Sequence, residues 1–279
     1  MLLVIFVIVI IIFVLWYLYT YQYEFVEITN SNKKQYHRQI QKFENKLAHW
    51  YPLGQNDKFK ISHGNNYYSF FERLGKMNML ICLYKGKVIG IGCGVLRNIN
   101  HKKVWYICDL KIDEKHRGKW IPFKMLLDSF HKIDQSNKIY GISMNNEKEN
   151  KVLRLARRIP LLDFKKGPLL YIYSLDYEKM LKAKPIIQKH RRQFGLATLS
   201  GVKDLIIQST EKPMPLLHLD WNKSNDTILD GYTYMFCCPE KDPMKIELDQ
   251  NDIMTDITAT IVYYNMNNFD WRFVMTSEI

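Results

Sequence analysis

The chain opens on the run MLLVIFVIVIIIFVLWYLYT, residues 1–20, and no charged side chain occurs before Glu24. At about 1.5 Å per residue, ~20 apolar residues in a helix span the ~30 Å hydrocarbon core of a bilayer. Trp16, Tyr17, Tyr19, Tyr21 and Tyr23 gather at the end of the run, where amphipathic rings favour the headgroup zone. The pattern predicts a retained single-pass transmembrane helix, a signal-anchor, over residues 1–23. A cleaved signal peptide would need a basic start, a shorter apolar run and a small-x-small cleavage site, and the sequence has none of these. Ile and Val dominate every face, which argues against a buried core helix.

Beyond this run the period changes. Tyr36, Ile40, Phe43, Leu47 and Trp50 recur at steps of three and four, predicting an amphipathic helix over 30–50 that Pro52 and Gly54 close. A polar, turn-rich connector follows, to residue 66. Short β-type runs are expected at 67–74, 79–84 and 88–96, with Lys85-Gly86 as a hairpin turn between the last two. Gly90, Gly92 and Gly94 alternate on one face of the third run, which calls for a closely approaching neighbour, a ligand or a bulge. Residues 104–112 read as a strand, 117–130 as a helix with Ile121, Met125, Leu126 and Phe130 on one side, and 138–144 as a strand. A basic helix is expected over 147–158, with Val152, Leu155 and Ala156 inward and Pro160 ending it, and then a strand over 169–175.

After Asp176 the pattern loosens. A basic helix is expected over 180–193, Pro213 and Pro215 mark a boundary, and β-like runs follow at 231–238, 257–264 and 269–275. The expected organisation is an anchor over 1–23, an amphipathic helix and connector over 24–66, an α/β core over 67–183 and a separate, partly β C-terminal extension over 184–279.

Charge narrows the partners. Forty Lys and Arg against 28 Asp and Glu give a net charge of +12, which suits an anionic membrane surface or a polyanionic ligand. The lysines are spread out and no Arg-rich block is interleaved with aromatics, so nucleic acid is not an expected partner. Lys33, Lys34, Arg38 and Lys42 outweigh Glu24 and Glu27 beside the apolar run, and the positive-inside rule places the bulk of the chain in the cytosol. Cys82, Cys93, Cys108, Cys237 and Cys238 form no C-x-x-C pair, and their odd count fits a reducing compartment. His63, His101, His116 and His131 show no ligand spacing with them, so no metal is expected.

One stretch carries candidate chemistry. A strand ending at Ile112 runs into Asp113-Glu114-Lys115-His116-Arg117-Gly118-Lys119-Trp120-Ile121-Pro122 and then a helix. A loop that opens a helix presents backbone N–H groups and the positive end of the helix dipole, which attract a diphosphate. Lys115, Arg117 and Lys119 add charge around it. The order helix, three strands, strand, loop-helix, strand, helix, strand, together with this loop, resembles the GNAT superfamily of acyl-CoA N-acyltransferases. The loop is similar to the family's pyrophosphate loop, R/Q-x-x-G-x-G/A, with Arg117 in first place. Trp120 stands where the family has Gly, and Pro122 where it has Gly or Ala. The stretch HRGKWIPFKMLLDSF resembles the N-myristoyltransferase branch about as well. Residues 150–157 are similar to the second CoA region, N-x-x-A-x-x-L-Y, with Asn150 in first place, Leu153 for Ala, and Arg157 where many members carry a tyrosine acid.

The resemblance covers about half of the chain. It implies an α/β, GNAT-like mixed central sheet flanked by helices, with acyl-CoA, acetyl-CoA foremost, as co-substrate and no metal. The implied CoA contacts are Ile112, Lys115, Arg117, Gly118, Lys119, Trp120, Ile121, Asn145 and Asn150. An attacking amine must lose a proton. Asp109, in an apolar strand before the loop, is the candidate base because burial raises a carboxylate's pKa; a structural carboxylate is the alternative. His116 and, as in the myristoyltransferase branch, the chain's terminal carboxylate are lesser candidates. Tyr140 and Tyr171 read as packing residues. The expected function is membrane-anchored transfer of an acyl group from CoA to an amine acceptor. Long-chain acyl transfer and an inactive CoA-binding or interaction fold are the alternatives.

Overall fold

The computed structural model describes residues 22–47, 50–53, 57–129, 135–145, 150–159, 162–191, 194–221 and 223–279. All but the last two residues of the expected anchor lie outside them. Among the described residues no helix is long and apolar enough to cross a membrane.

In chain order the elements are strand β1 (Tyr23–Ile28), helix α1 (Lys33–Leu47), β2 (Tyr51–Leu53), β3 (Asp57–Ser62), α2 (Ser69–Glu72), β4 (Lys76–Tyr84), β5 (Lys87–Ile99), β6 (Lys102–Ile112), α3 (Ile121–Asp128), β7 (Ile139–Met144), α4 (Lys151–Ala156), β8 (Lys165–Leu175), α5 (Tyr177–His190), β9 (Gly195–Ala197), β10 (Asp204–Ile207), β11 (Leu216–Asp220), β12 (Thr233–Pro239), α6 (Pro243–Gln250) and β13 (Thr258–Tyr264). This is a mixed α/β fold. Contacts divide the chain into two compact units, one of residues 1–47, 78–93 and 109–132, the other of 48–77, 94–108 and 133–279. β5 and β6 each contribute to both.

In the first unit β1 runs antiparallel to β4, with Tyr23 opposite Tyr84 and Ile28 opposite Met79. Tyr23 therefore opens a strand rather than closing an anchor. Its ring is buried with Leu80, Cys82, Ile89, Ile121 and Met125, which seats α3 on the sheet. Lys85 and Gly86 have φ of 50° and 71°, as a two-residue hairpin between right-twisted strands requires. The glycine alternation serves protein packing. A Cβ at Gly90 would lie 2.8 Å from Ile112 Cδ1, and one at Gly92 3.3 Å from Met125 Sδ.

In the second unit the sheet order is β6-β7-β13-β8-β12-β11-β9, and β10-β3-β2 form a smaller sheet. β6 and β7 are parallel, with Trp105 opposite Ile139. β13 lies antiparallel between β7 and β8, with Ile261 opposite Ile142 and Ala259 opposite Leu170. The last strand of the expected extension over 184–279 thus lies beside two strands of the expected core. Tyr106 and Tyr140 stack at 4.8 Å in a core shared with Leu170, Ile261 and Trp271.

Three local expectations also change. Residues 67–74 hold the short helix α2 within turns rather than a strand, because Tyr67, Tyr68, Phe70 and Phe71 are buried together, three of them against the His63 ring. Residues 269–275 hold a 3-10 turn, Trp271–Phe273, capped by Asp270 accepting from Arg272 N–H at 3.1 Å. Val152 is exposed rather than inward.

Candidate functional site

The register of β6 carries into the loop that follows it. Asp113 N–H donates to Ile89 C=O at 2.9 Å. The buried Asp113 carboxylate accepts from Lys115 N–H at 3.1 Å and from the Lys46 ammonium. The Lys46 hydrogen bond holds Asp113 below the usual carboxylate range, against the opposing effect of burial. A 3-10 turn, Glu114–His116, follows. His116 Nδ1 lies 3.0 Å from the Tyr23 hydroxyl. Burial, then the Lys119 ammonium, pushes His116 below its ordinary value, which suits a neutral ring at pH 7.

The chain then turns twice through the left-handed region, at Gly118 (φ 77°) and Trp120 (φ 58°). Positive φ is free for glycine but strained for a bulky side chain, by about 1–3 kcal/mol, and strain of this kind collects at functional sites. Helix α3 starts next. Its first hydrogen bond runs from Lys124 N–H to Trp120 C=O, so the N–H groups of Ile121 and Phe123 have no carbonyl within the helix, and Pro122 has no N–H to leave unpaired. No side chain caps this end. Arg117 is folded back on the exposed surface of the loop, with Nη1 2.9 Å from Glu114 Oε1 and Nε 3.3 Å from Ile112 C=O. Arrangements of this kind accept oxyanions.

Asp109 does not stand alone among apolar side chains, as its sequence neighbours imply. Its carboxylate is 2.7 Å from Lys111 Nζ, and Lys111 also reaches Glu44 at 3.4 Å. Burial pulls Lys111 down, but the Asp109 and Glu44 carboxylates outweigh it and leave this lysine above its usual value. Asp109 has φ 50°, a conformation that Asp and Asn tolerate better than most residues. Glu44 escaped the sequence reading. Its signal was present: with Ile40, Phe43 and Leu47 it completes an i, i+3, i+4, i+7 stripe, so it is a carboxylate on the buried face of α1.

In the second unit Asn145 and Asn150 are already committed. Asn150 Oδ1 caps α4, accepting from Val152 and Leu153 N–H at 3.1 Å each, and its Nδ2 donates to Asn145 Oδ1 at 3.0 Å. Asn145 Oδ1 also accepts from Thr260 Oγ1 at 2.8 Å, and its Nδ2 donates to Thr258 Oγ1 at 3.0 Å. These amides pin β7, β13 and α4 together.

The same unit holds buried ionisable groups and a cavity of about 220 Å³ lined by Ser200, Lys203, Asp204, Leu216, His218 and Tyr232, among others. His218 Nδ1 lies 3.0 Å from Thr276 Oγ1, which donates to Met235 C=O at 3.0 Å. The hydroxyl proton is thereby committed, so the ring carries its own proton on Nδ1. Burial first, then Lys203 and Arg73, pushes His218 down to about 3. The unfolded chain takes up this proton near pH 6.5, the folded chain only near 3. Stability from the neutral ring is present above pH 6.5 and is lost as pH falls towards 3. Between those limits each pH unit costs roughly 1.4 kcal/mol, so roughly 2 kcal/mol disappears by about pH 5. Urea midpoints at pH 6.5 and 5 are expected to differ by this amount in the parent and much less in His218→Asn. Equal pH slopes in both would exclude His218 as the source. Among the described residues no group of three or more His, Cys, Asp or Glu could hold a metal ion.

The described residues form a mixed α/β fold with one large and one small sheet. No family model matches the sequence. An uncharacterized protein of Acanthamoeba polyphaga mimivirus is 22% identical over 281 residues, covering 91% of this chain and 80% of that protein. Among solved structures, Arabidopsis thaliana Naa50 in complex with a bisubstrate analogue is 16% identical with a TM-score of 0.36, covering 53% of this chain and 86% of its own. Arabidopsis thaliana NAA60, also with a bisubstrate analogue, is 14% identical with a TM-score of 0.35, covering 53% and 87%. A GCN5-related glucosamine N-acetyltransferase region of a fungal multi-domain enzyme is 11% identical with a TM-score of 0.44, covering 64% and 22%.

Proposed function

We propose that the chain is a membrane-anchored acyltransferase that moves an acyl group, acetyl by preference, from a CoA thioester to an amine. The observation that carries this reading is the uncapped start of α3, opened by left-handed Gly118 and Trp120 and flanked by Lys115, Arg117 and Lys119. It supports binding of the CoA diphosphate through backbone N–H groups. Arg117 can leave Glu114 for a phosphate at little cost, because that pair is exposed. In the reaction the amine nitrogen bonds to the acyl carbon, the C–S bond breaks, and the thiolate leaves. The proton shed by the amine goes to Asp109, either directly or through water. The apolar run over 1–20 holds the chain on the membrane, with its bulk on the cytosolic side. The second reading, CoA binding without turnover, is favoured by Lys111, whose ammonium already engages the Asp109 carboxylate.

Titration calorimetry with CoA tests the donor site. A hydrogen bond to a charged group contributes about 1.5–3 kcal/mol, so Arg117→Ala is expected to weaken CoA binding roughly ten- to a hundredfold. Unchanged affinity would remove Arg117 from the site, and a parent that does not bind CoA would end both readings.

A further inference from the structure

The loop over 113–120 lies beside the start of β1 in the first unit. Tyr23, the first residue of β1, is paired with Tyr84, the last of β4. The Tyr23 hydroxyl is 3.0 Å from His116 Nδ1, and the His116 ring lies 5.7 Å from that of Tyr23 and 4.9 Å from that of Tyr84. Ile121, next to Trp120, is buried in the same cluster as Tyr23, and Lys124 Nζ lies 5.6 Å from the Phe25 ring centroid. The start of β1 and the loop therefore share one end of this unit's sheet. The apolar run ends at Thr20, three residues before Tyr23. Three residues of extended chain reach at most about 11 Å, and the headgroup zone on each side of a bilayer is ~5–8 Å deep. A bilayer that holds residues 1–20 is within reach of the loop.

The loop's chemistry matches that surroundings. Trp120 is 63% exposed, although it is among the largest apolar side chains and adopts a strained backbone conformation. An indole with one face in solvent is typical of residues that settle at a membrane interface. Lys119, Lys46 and Lys115 all act on His116, with the Asp113 carboxylate opposing them. The facing carboxylates are engaged: Asp113 by Lys46 and Glu114 by Arg117. Glu24 and Glu27 are exposed on β1.

We infer that this loop is a second membrane contact, with Trp120 seated in the headgroup zone of an anionic leaflet and Lys115 and Lys119 on lipid phosphates, the backbone N–H groups and Arg117 being left to the CoA diphosphate. The donor loop then works at the bilayer surface. This rests on the anchored-acyltransferase reading above. The test uses the full chain in phosphatidylcholine–phosphatidylserine vesicles, with a nitroxide at Trp120→Cys or at Lys119→Cys, the second of which keeps the indole. A label at Asn30→Cys is the control, because Asn30 is exposed beyond the other end of β1, roughly 17 Å along the strand. Four of the native cysteines are buried and Cys108 is half-buried, and the labelled parent gives the background. Labels at 119 and 120 are expected to collide several-fold more with oxygen, relative to a water-soluble nickel chelate, than the label at 30. Equal access of nickel to all three in vesicles that float would overturn the loop contact and leave the anchor standing. A chain that stays at the bottom of the gradient after carbonate washing would overturn both, while CoA calorimetry on that chain would still decide the donor site.

Discussion

Asp109→Asn is expected to cut amine-dependent thiol release from acetyl-CoA by about 10²–10⁴-fold, the usual worth of a positioned general base. CoA affinity should stay within a factor of about two, because the loss is confined to the chemical step. The substitution suits the question. Asn keeps the size of the side chain, and it tolerates the left-handed backbone at this position (φ 50°) as Asp does. What it removes is the proton acceptor and half of the charge around Lys111, which Glu44 still engages at 3.4 Å. A purely structural Asp109 predicts the reverse: turnover retained, with a loss of stability. Thiol release over a panel of amines and thioesters, together with the denaturation midpoint of the same variant, separates the two. Retained turnover would show that the amine's proton goes elsewhere. A parent that consumes neither acetyl- nor long-chain thioesters while binding CoA would favour the second reading.

The backbone was legible where it is local. Turn residues with forced backbone conformations, such as Lys85-Gly86, and the passage from β6 through Gly118 into α3 are fixed by neighbours within ten residues. The loop over 113–120 could therefore be placed from sequence as a turn into a helix. The partners of its residues could not. Lys111 is two residues beyond Asp109 in a strand, which period-two alternation puts on the same side, yet alternation says nothing of Glu44, 67 residues before Lys111, which meets it. Asn145 and Asn150 read as ligand contacts from a motif that gives no hint of their hydrogen bonds, which run to a cap and to Thr258 and Thr260 on β13. That strand was invisible as a member of the core. Its pattern marks an apolar strand but not its slot between β7 and β8, since order in a sheet is set by long-range pairing and not by period. The same long-range closure hid the other charged cluster of the second unit, where Arg97 of β5 meets Glu278 near the end of the chain.

Arg97→Met is expected to destabilise the second unit by about 3–5 kcal/mol, the cost of leaving one member of a buried ion pair behind. Glu278 is 7% exposed, and its Oε2 has no hydrogen-bond partner among the described residues, so Oε1 depends on Arg97. Arg97 also donates to the Tyr140 hydroxyl and lies over the Phe273 ring, so the variant loses packing as well as charge. The pH dependence distinguishes these losses. Burial already raises Glu278 above its ordinary value of 4.5, with Arg97 pulling the other way; without Arg97 it must rise further. A carboxyl with a raised folded value is best tolerated when protonated. The deficit of the variant relative to the parent should therefore be smallest below about pH 4.5, where the unfolded chain is protonated too, and grow as pH rises through the folded value. Taking the difference between the two proteins at each pH cancels the opposite acid sensitivity of His218. Combining Arg97→Met with Glu278→Gln removes the stranded charge and should restore most of the loss at pH 7. Urea midpoints for parent, single and double variants decide it. A double variant no more stable than the single, with a deficit independent of pH, would assign the whole effect to the lost contacts with Tyr140 and Phe273 and none to the buried carboxylate.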